Sequence, residues 1–238
     1  MQQLYPEPGP VDHDTLIDLY APPPRPSLRV NFVASLDGAG TLGGKSAGLS
    51  GPEDKRVFGI LRMRCDALVV GAGTVREEGY RAVRLDEPRR QWRLAHGLTE
   101  FPTLVIVSGR CDLDPAQPAL ADAPVRPVIL TTAHAEPGAL GDVADVIRAG
   151  DKRVDLIEAV RQLRERGLLQ LLSEGGPTLF GSLTAAGLVD ELCLTVSPLL
   201  AGPGAGRITA GPELPAPVDL TLRHALLADG QLLLRYNR

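Results

Sequence analysis

Two glycine-bearing stretches carry the residue types best suited to chemistry: Ser173-Glu174-Gly175-Gly176-Pro177-Thr178 and Gly71-Ala72-Gly73-Thr74-Val75. Glycines let a ligand approach the backbone, and the amides and dipole of a helix starting just beyond them favour an anion such as a phosphate. Pro177 suits a first helical turn, where a missing N–H leaves nothing unpaired. Glu174 is the odd member. A carboxylate beside an anion site is unfavourable unless it faces another part of the ligand, which points it at substrate or cofactor-ring chemistry. Neither stretch is the dinucleotide fingerprint G-x-G-x-x-G, because Arg76 stands three beyond Gly73, and neither is a P-loop, which needs G-K-[ST]. Ser108 with Arg110 offers a hydroxyl and a fork for a ribose phosphate, and Asp37 sits in the turn Ser35-Leu36-Asp37-Gly38. A single glycine turn needs no more than a strand-to-helix connection to explain it. Two on one chain matter more than either alone.

The elements that must position these groups follow from the apolar pattern. Leu168, Leu169, Leu171 and Leu172 read as a buried strand ending at the second glycine corner, and Leu179, Phe180 and Leu183 recur beyond it at helical spacing. Asp66 to Val70 is the strand that feeds the first corner. A strand at Arg29 to Ala34 opens the domain. Ser50-Gly51-Pro52-Glu53 caps a helix with Val57, Ile60 and Leu61 on one face, which places Arg62 near its end. Thr103 to Val107, Val128 to Leu130 and Val143 to Ile147 read as further strands, and Val154 to Arg166 as an amphipathic helix. Tyr80 to Glu100, with Arg81, Arg84, Arg89, Arg90 and Arg93, lacks clear periodicity and suits a surface excursion or a substrate-side loop. Asp190 to Val196 is a late strand, and Leu220 to Leu227 with Gln231 to Tyr236 form a terminal hairpin around Asp229-Gly230. Strands alternate with helices early and pair late, so the expected fold is α/β, a mostly parallel central sheet with helices on both faces and an antiparallel C-terminal hairpin. Residues 1–27, rich in proline at their end, are expected as an extended lead-in, although Thr15 to Tyr20 could form a turn or two of helix. Residues 28–238 are expected as a single domain.

Composition narrows the partners. A net charge of −4 without a basic block argues against nucleic acid. No window approaches the roughly 18 apolar residues of a membrane span, and the N-terminus lacks a basic-then-apolar leader, so the expected location is cytoplasmic. Cys65, Cys111 and Cys193 are odd in number and widely spaced, which indicates neither a disulfide framework nor a zinc knuckle. His134-Ala135-Glu136 matches H-x-E, but no P-C-x-x-C follows, so no metal is expected.

Five ordered blocks, Val33-Ala34-Ser35-Leu36-Asp37-Gly38, Leu61-Arg62, Asp66 through Val75, Glu174 through Leu179 and Leu188-Val189-Asp190-Glu191-Leu192, together resemble the reductase domain of the bifunctional riboflavin-biosynthesis deaminase/reductase, the pyrimidine reductases of dihydrofolate-reductase-like fold. The resemblance spans residues 28–238. It implies reduction by NADPH of 5-amino-6-(5-phosphoribosylamino)uracil to the ribitylamino product, with hydride delivered to ribose C1′. It further implies a cofactor-binding set of Val33, Ala34, Gly71, Gly73, Thr74, Glu78, Ser108, Arg110, Gly175, Gly176, Pro177, Thr178, Leu179 and Phe180, and a substrate-side set of Ser46, Arg62, Arg84 and Glu174. Glu174 and Asp37 are the candidates for orienting or protonating groups at the reacting centre. A positive group near the adenosine ribose, Arg110 or Arg76, would favour NADPH over NADH. A homodimer is expected as in the family, with Leu192, Leu194, Val196 and the terminal hairpin as its surface.

Two other readings remain open from the sequence. One is a reductase of another pteridine or pyrimidine such as dihydrofolate, motivated by Ala39 and Gly48-Leu49, where family members often carry Lys and an aromatic. The other is a non-catalytic dinucleotide-binding protein that keeps the phosphate turns for sensing.

Overall fold

The structure, a computed structural model, describes residues 1–238 and consists of two compact units, Met1–Leu61 with Pro177–Arg238, and Arg62–Gly176. In chain order the first unit begins with β1 (Gln2–Tyr5), β2 (Gly9–Pro10), α1 (His13–Leu19) and β3 (Ser27–Ser35), and α2 (Pro52–Arg64) leads from it into the second. The second unit holds β4 (Ala67–Gly71), α3 (Ala72–Glu77), α4 (Glu87–Ala95), β5 (Thr103–Val107), α5 (Pro118–Ala121), β6 (Val128–Thr131), α6 (Leu140–Val143), β7 (Asp145–Arg148), α7 (Leu156–Glu165) and β8 (Gln170–Ser173). The chain then returns to the first unit through α8 (Pro177–Ala185), β9 (Glu191–Ser197), β10 (Thr221–Ala228) and β11 (Gln231–Asn237).

In the second unit all neighbouring strands run parallel, in the order β8-β4-β5-β6-β7. Such strands are covered on both faces and read as unbroken apolar runs. Leu68, Val70, Val105, Ile106, Ile129 and Leu130 are accordingly buried. In the first unit the order is β2-β1-β10-β11-β9-β3, parallel only between β3 and β9. The expected hairpin is β10 and β11, turned by Asp229 at φ 49° and Gly230 at φ 77°, the left-handed pair that a two-residue turn needs.

Two stretches differ from their sequence reading. Residues 1–27 are no extended lead-in: β1 pairs with β10, and Leu16, Ile17 and Tyr20 of the α1 region are buried in the first unit. β1 lies between β10 and the edge strand β2, and its sequence, Gln2-Gln3-Leu4-Tyr5, carries no alternating apolar signal. The aperiodic stretch from Tyr80 contains α4, capped by the Asp86 side chain accepting from the Arg89 amide, with Pro88 in its first turn. Its buried residue is Arg93 rather than an aliphatic, so apolar periodicity could not reveal it. All three cysteines are free and buried, and burial pushes the thiols of Cys65 and Cys193 up to about 12 and about 11.

Candidate active site

The two glycine corners meet in the second unit. β8 lies beside β4, its start tied down by the Asp66 carboxylate accepting from the amides of Leu169 (2.9 Å) and Gln170 (2.8 Å). At the carboxyl ends of the two strands the Glu174 amide donates to Val69 O (3.2 Å) and the Gly71 amide to Gly175 O (2.8 Å). A Cβ at Gly176 would lie 2.8 Å from the Thr74 hydroxyl, so any side chain there would have to displace that hydroxyl. The Gly175–Gly176 peptide is cis. Gly71 is the N-cap of α3 with no side-chain cap, and Glu78 ends that helix, its amide bonded to Thr74 O at 3.0 Å.

Glu174 is held by two partners, one of which the sequence did not reveal. Arg62, in the last turn of α2, donates from Nε to Oε1 (2.8 Å) and from Nη2 to Oε2 (2.6 Å), a two-pronged contact with a carboxylate only 4% exposed. The Tyr80 hydroxyl donates to Glu174 Oε2 (2.5 Å) and accepts from Arg62 Nη2 (2.8 Å). Burial pushes the Tyr80 phenol well above its usual range, and the Glu174 charge pushes it further, so it is neutral near pH 7. Burial disfavours the Arg62 cation, but the facing carboxylate outweighs it and the guanidinium pKa is raised. The cluster is a cation, a carboxylate and a phenol locked together at the end of β8. As a carboxylate taking three hydrogen bonds, Glu174 is an acceptor of fixed orientation. The one local signal for Tyr80 was Gly79, whose φ of +64° ends α3 and turns Tyr80 back so that its amide bonds Val75 O at 3.2 Å.

The remaining candidates of this unit lie elsewhere in it. Arg84 is exposed and donates to Asp122 O (2.7 Å), not to Glu174. Ser108 is buried just beyond β5, and exposed Arg110 pairs with Asp112 at 3.2 Å, as Arg76 of α3 does at 3.1 Å. Asp112 was not singled out by the sequence reading.

The first unit holds the other candidates. Asp37 is exposed. It accepts from the Ser35 hydroxyl and from the amides of Ala201 (3.1 Å) and Gly202 (2.8 Å), which ties the β3 turn to the loop after β9. The Ser35 hydroxyl, followed by those two amides, lowers its pKa to about 2. It is ionised near neutral pH, so of the two expected roles, orienting and protonating, only the first suits it. Val33 and Ala34 lie on β3 opposite Thr195 and Val196, and Ser46 opens a single helical turn, Ser46–Gly48. At the start of α8 Pro177 and Thr178 are exposed, whereas Leu179 and Phe180 are buried and Phe180 stacks on Phe32 with centroids 4.8 Å apart. The side chains of Leu179 and Phe180 are therefore used in packing.

Residues 26–234 match the family described as the RibD C-terminal domain. The chain is 32% identical over 182 residues to the 2,5-diamino-6-ribosylamino-4(3H)-pyrimidinone 5′-phosphate reductase of Archaeoglobus fulgidus, an alignment covering 75% of this chain and 83% of that protein. It is 33% identical over 183 residues to the protein of the same name from Methanothermobacter thermautotrophicus, covering 75% and 80%. Among solved structures, a pyrimidine reductase-like protein from Corynebacterium diphtheriae superposes with a TM-score of 0.80 at 27% identity, over 89% of this chain and 91% of that one. The α/β architecture, the joined glycine corners and these similarities lead to one assignment: the chain belongs to the RibD C-terminal domain family, the pyrimidine reductases of riboflavin biosynthesis.

Proposed function

We propose that this oxidoreductase uses NADPH to reduce the ribosylamino group of a 5′-phosphorylated pyrimidine. The observation that carries the reading is the closure of Gly71 onto Gly175, beside a fixed carboxylate at Glu174. The residues present fit a dinucleotide: Gly71, Gly73 and Gly176 offer bare backbone, the first turn of α3 has no side-chain cap, and Arg76 and Arg110 supply cations for an adenosine phosphate. When bound, the nicotinamide supplies the hydride, which the substrate accepts at C1′ of the ring-opened imine. The protein orients the substrate. Glu174 is held as an acceptor by Arg62 and Tyr80, and so can fix a donor group of the pyrimidine or ribityl chain.

Two pyrimidine rings share this C1′ chemistry. One is 5-amino-6-(5-phosphoribosylamino)uracil. The other is the 2,5-diamino-pyrimidinone named for the archaeal relatives, and the coverage of those relatives, 83% and 80% of their length, favours it as the second reading. Following NADPH oxidation with each compound separates the two. Turnover of neither, together with no saturable change in NADPH fluorescence on adding protein, would refute the reading. Glu174→Gln is expected to lower kcat more than Tyr80→Phe. The first leaves the Arg62 guanidinium without a counter-charge, and the second leaves the two-pronged ion pair intact.

The expected homodimer belongs with this proposal. In the first unit Leu194 and Val196 of β9 stand opposite Leu234 and Leu232 of β11, all half-buried, and sedimentation would read their covering as twice the 25.3 kDa chain mass. No helix is long and apolar enough to cross a membrane.

A further inference from the structure

A second charged cluster stands beyond the carboxyl ends of the adjacent parallel strands β4 and β5, where open parallel sheets collect their ligands. Its centre is Asp112. Arg76 Nη1 donates to Oδ1 at 3.1 Å, Arg110 Nη2 to Oδ2 at 3.2 Å, and the hydroxyl of buried Ser108 reaches Oδ1 at 3.4 Å. Arg76 and Asp112 are each 41% exposed and Arg110 is 84% exposed, so these pairs add little to folding. Two guanidiniums from different elements and a hydroxyl, turned onto one pair of oxygens, form the donor set that takes a phosphate monoester. Here the chain's own carboxylate fills it. In a dinucleotide site an acid accepts from the ribose 2′-hydroxyl of the unphosphorylated cofactor, whereas an arginine takes the 2′-phosphate of the phosphorylated one. This chain holds both devices in contact with each other.

We infer that Asp112 sets the discrimination between the two nicotinamide cofactors, competing with a 2′-phosphate for Arg76 and Arg110 while serving a 2′-hydroxyl in its place. The inference rests on the dinucleotide reading above and adds to it the residue that limits the preference for NADPH. A dianionic phosphate must displace the Asp112 carboxylate and then tolerate it nearby, whereas an unphosphorylated ribose meets a ready acceptor. Removing the charge frees both arginines.

The test is fluorescence titration of NADPH and of NADH against the native chain, Asp112→Asn and Arg76→Ala. The ratio Kd(NADH)/Kd(NADPH) is expected to rise about tenfold in Asp112→Asn, the order of effect of one removed like charge near the surface, and to fall in Arg76→Ala. Asp112→Ser carries the same expectation should Asp112→Asn fold poorly, and failure of both to fold overturns the inference by making Asp112 a structural group. It is also overturned if the native chain binds NADPH and the ratio in the Asp112 variant is unchanged or lower. If the native chain binds neither dinucleotide, the cofactor reading itself falls and takes this inference with it.

Discussion

Asp37 takes one hydroxyl and two backbone N–H donors, and every one of them favours its charged form. Its folded pKa of about 2 lies below the roughly 3.9 of a free aspartate, so its contribution to stability is full above about pH 4 and is lost as the pH falls toward 2. Asp37→Asn is therefore expected to unfold at lower denaturant concentration than the native chain at pH 7, with the gap narrowing as the pH falls to 2. An equal gap at both pH values would show that the carboxylate charge is not what ties the β3 turn to the Ala201–Gly202 loop. The group is exposed, so the gap at pH 7 is small. At this scale the sequence exposed the residues whose surroundings are local. Glu174 stands out in the sequence because a carboxylate ending an apolar run beside two glycines has no packing reason to be there. Tyr80 does not stand out, because its bond to that carboxylate spans 94 positions, nor does Asp112, whose guanidinium partner Arg76 is 36 positions away.

Among the elements, α4 shows how a polar side chain can do the work of an aliphatic core residue. Arg93 is fully buried. Its guanidinium donates to Met63 O (2.9 Å) and Cys65 O (2.6 Å) at the end of α2, and to Thr99 O (2.6 Å) just beyond α4. It thereby satisfies helix-end carbonyls that would otherwise be buried without a donor. Arg93→Met keeps most of the volume but leaves three acceptors unpaired, which costs about 3 kcal/mol at the lower end of the range for such groups. Arg93→Lys is expected to recover only part of this, because a point ammonium cannot reach three carbonyls that diverge as the fork does. Denaturant unfolding of both variants checks the order, and a lysine variant as stable as the native chain would mean that charge, not the fork, is what α4 needs. The parallel strands and the hairpin turn were legible, since unbroken apolar runs and Asp229-Gly230 each have one structural meaning. α4 was hidden by its arginines, although its cap, Asp86-Glu87-Pro88, was already a start signal.

On the scale of the whole molecule, the family and its reaction type were legible because the blocks that carry them are continuous in sequence, whereas the place of the first 27 residues was not, because distant side chains fix it. Arg29 on β3 and Arg235 on β11 both donate to Glu191 on β9, with side chains 7%, 12% and 3% exposed. Other N–H groups of the two arginines take the last carbonyls of the α1 region: Arg29 donates to Tyr20 O and Ala21 O, and Arg235 to Leu19 O and Ala21 O. A buried Arg–Glu–Arg triad on its own is often replaceable by apolar residues at no loss, since attraction barely offsets desolvation. Here the triad also supplies donors to the end of α1, so apolar replacement would strand carbonyls that the native guanidiniums satisfy. Glu191→Gln, which leaves two buried cations without a counter-charge, is expected to cost about 3–5 kcal/mol. The triple variant Arg29→Met, Glu191→Leu, Arg235→Met is expected to be less stable than the native chain as well, and to lose amide-exchange protection over residues 13–20 while β9 and β11 keep theirs. If the triple variant matched the native chain in both measurements, the arginines would be a dispensable ion cluster and α1 would be held by Leu16, Ile17 and Tyr20 packing alone.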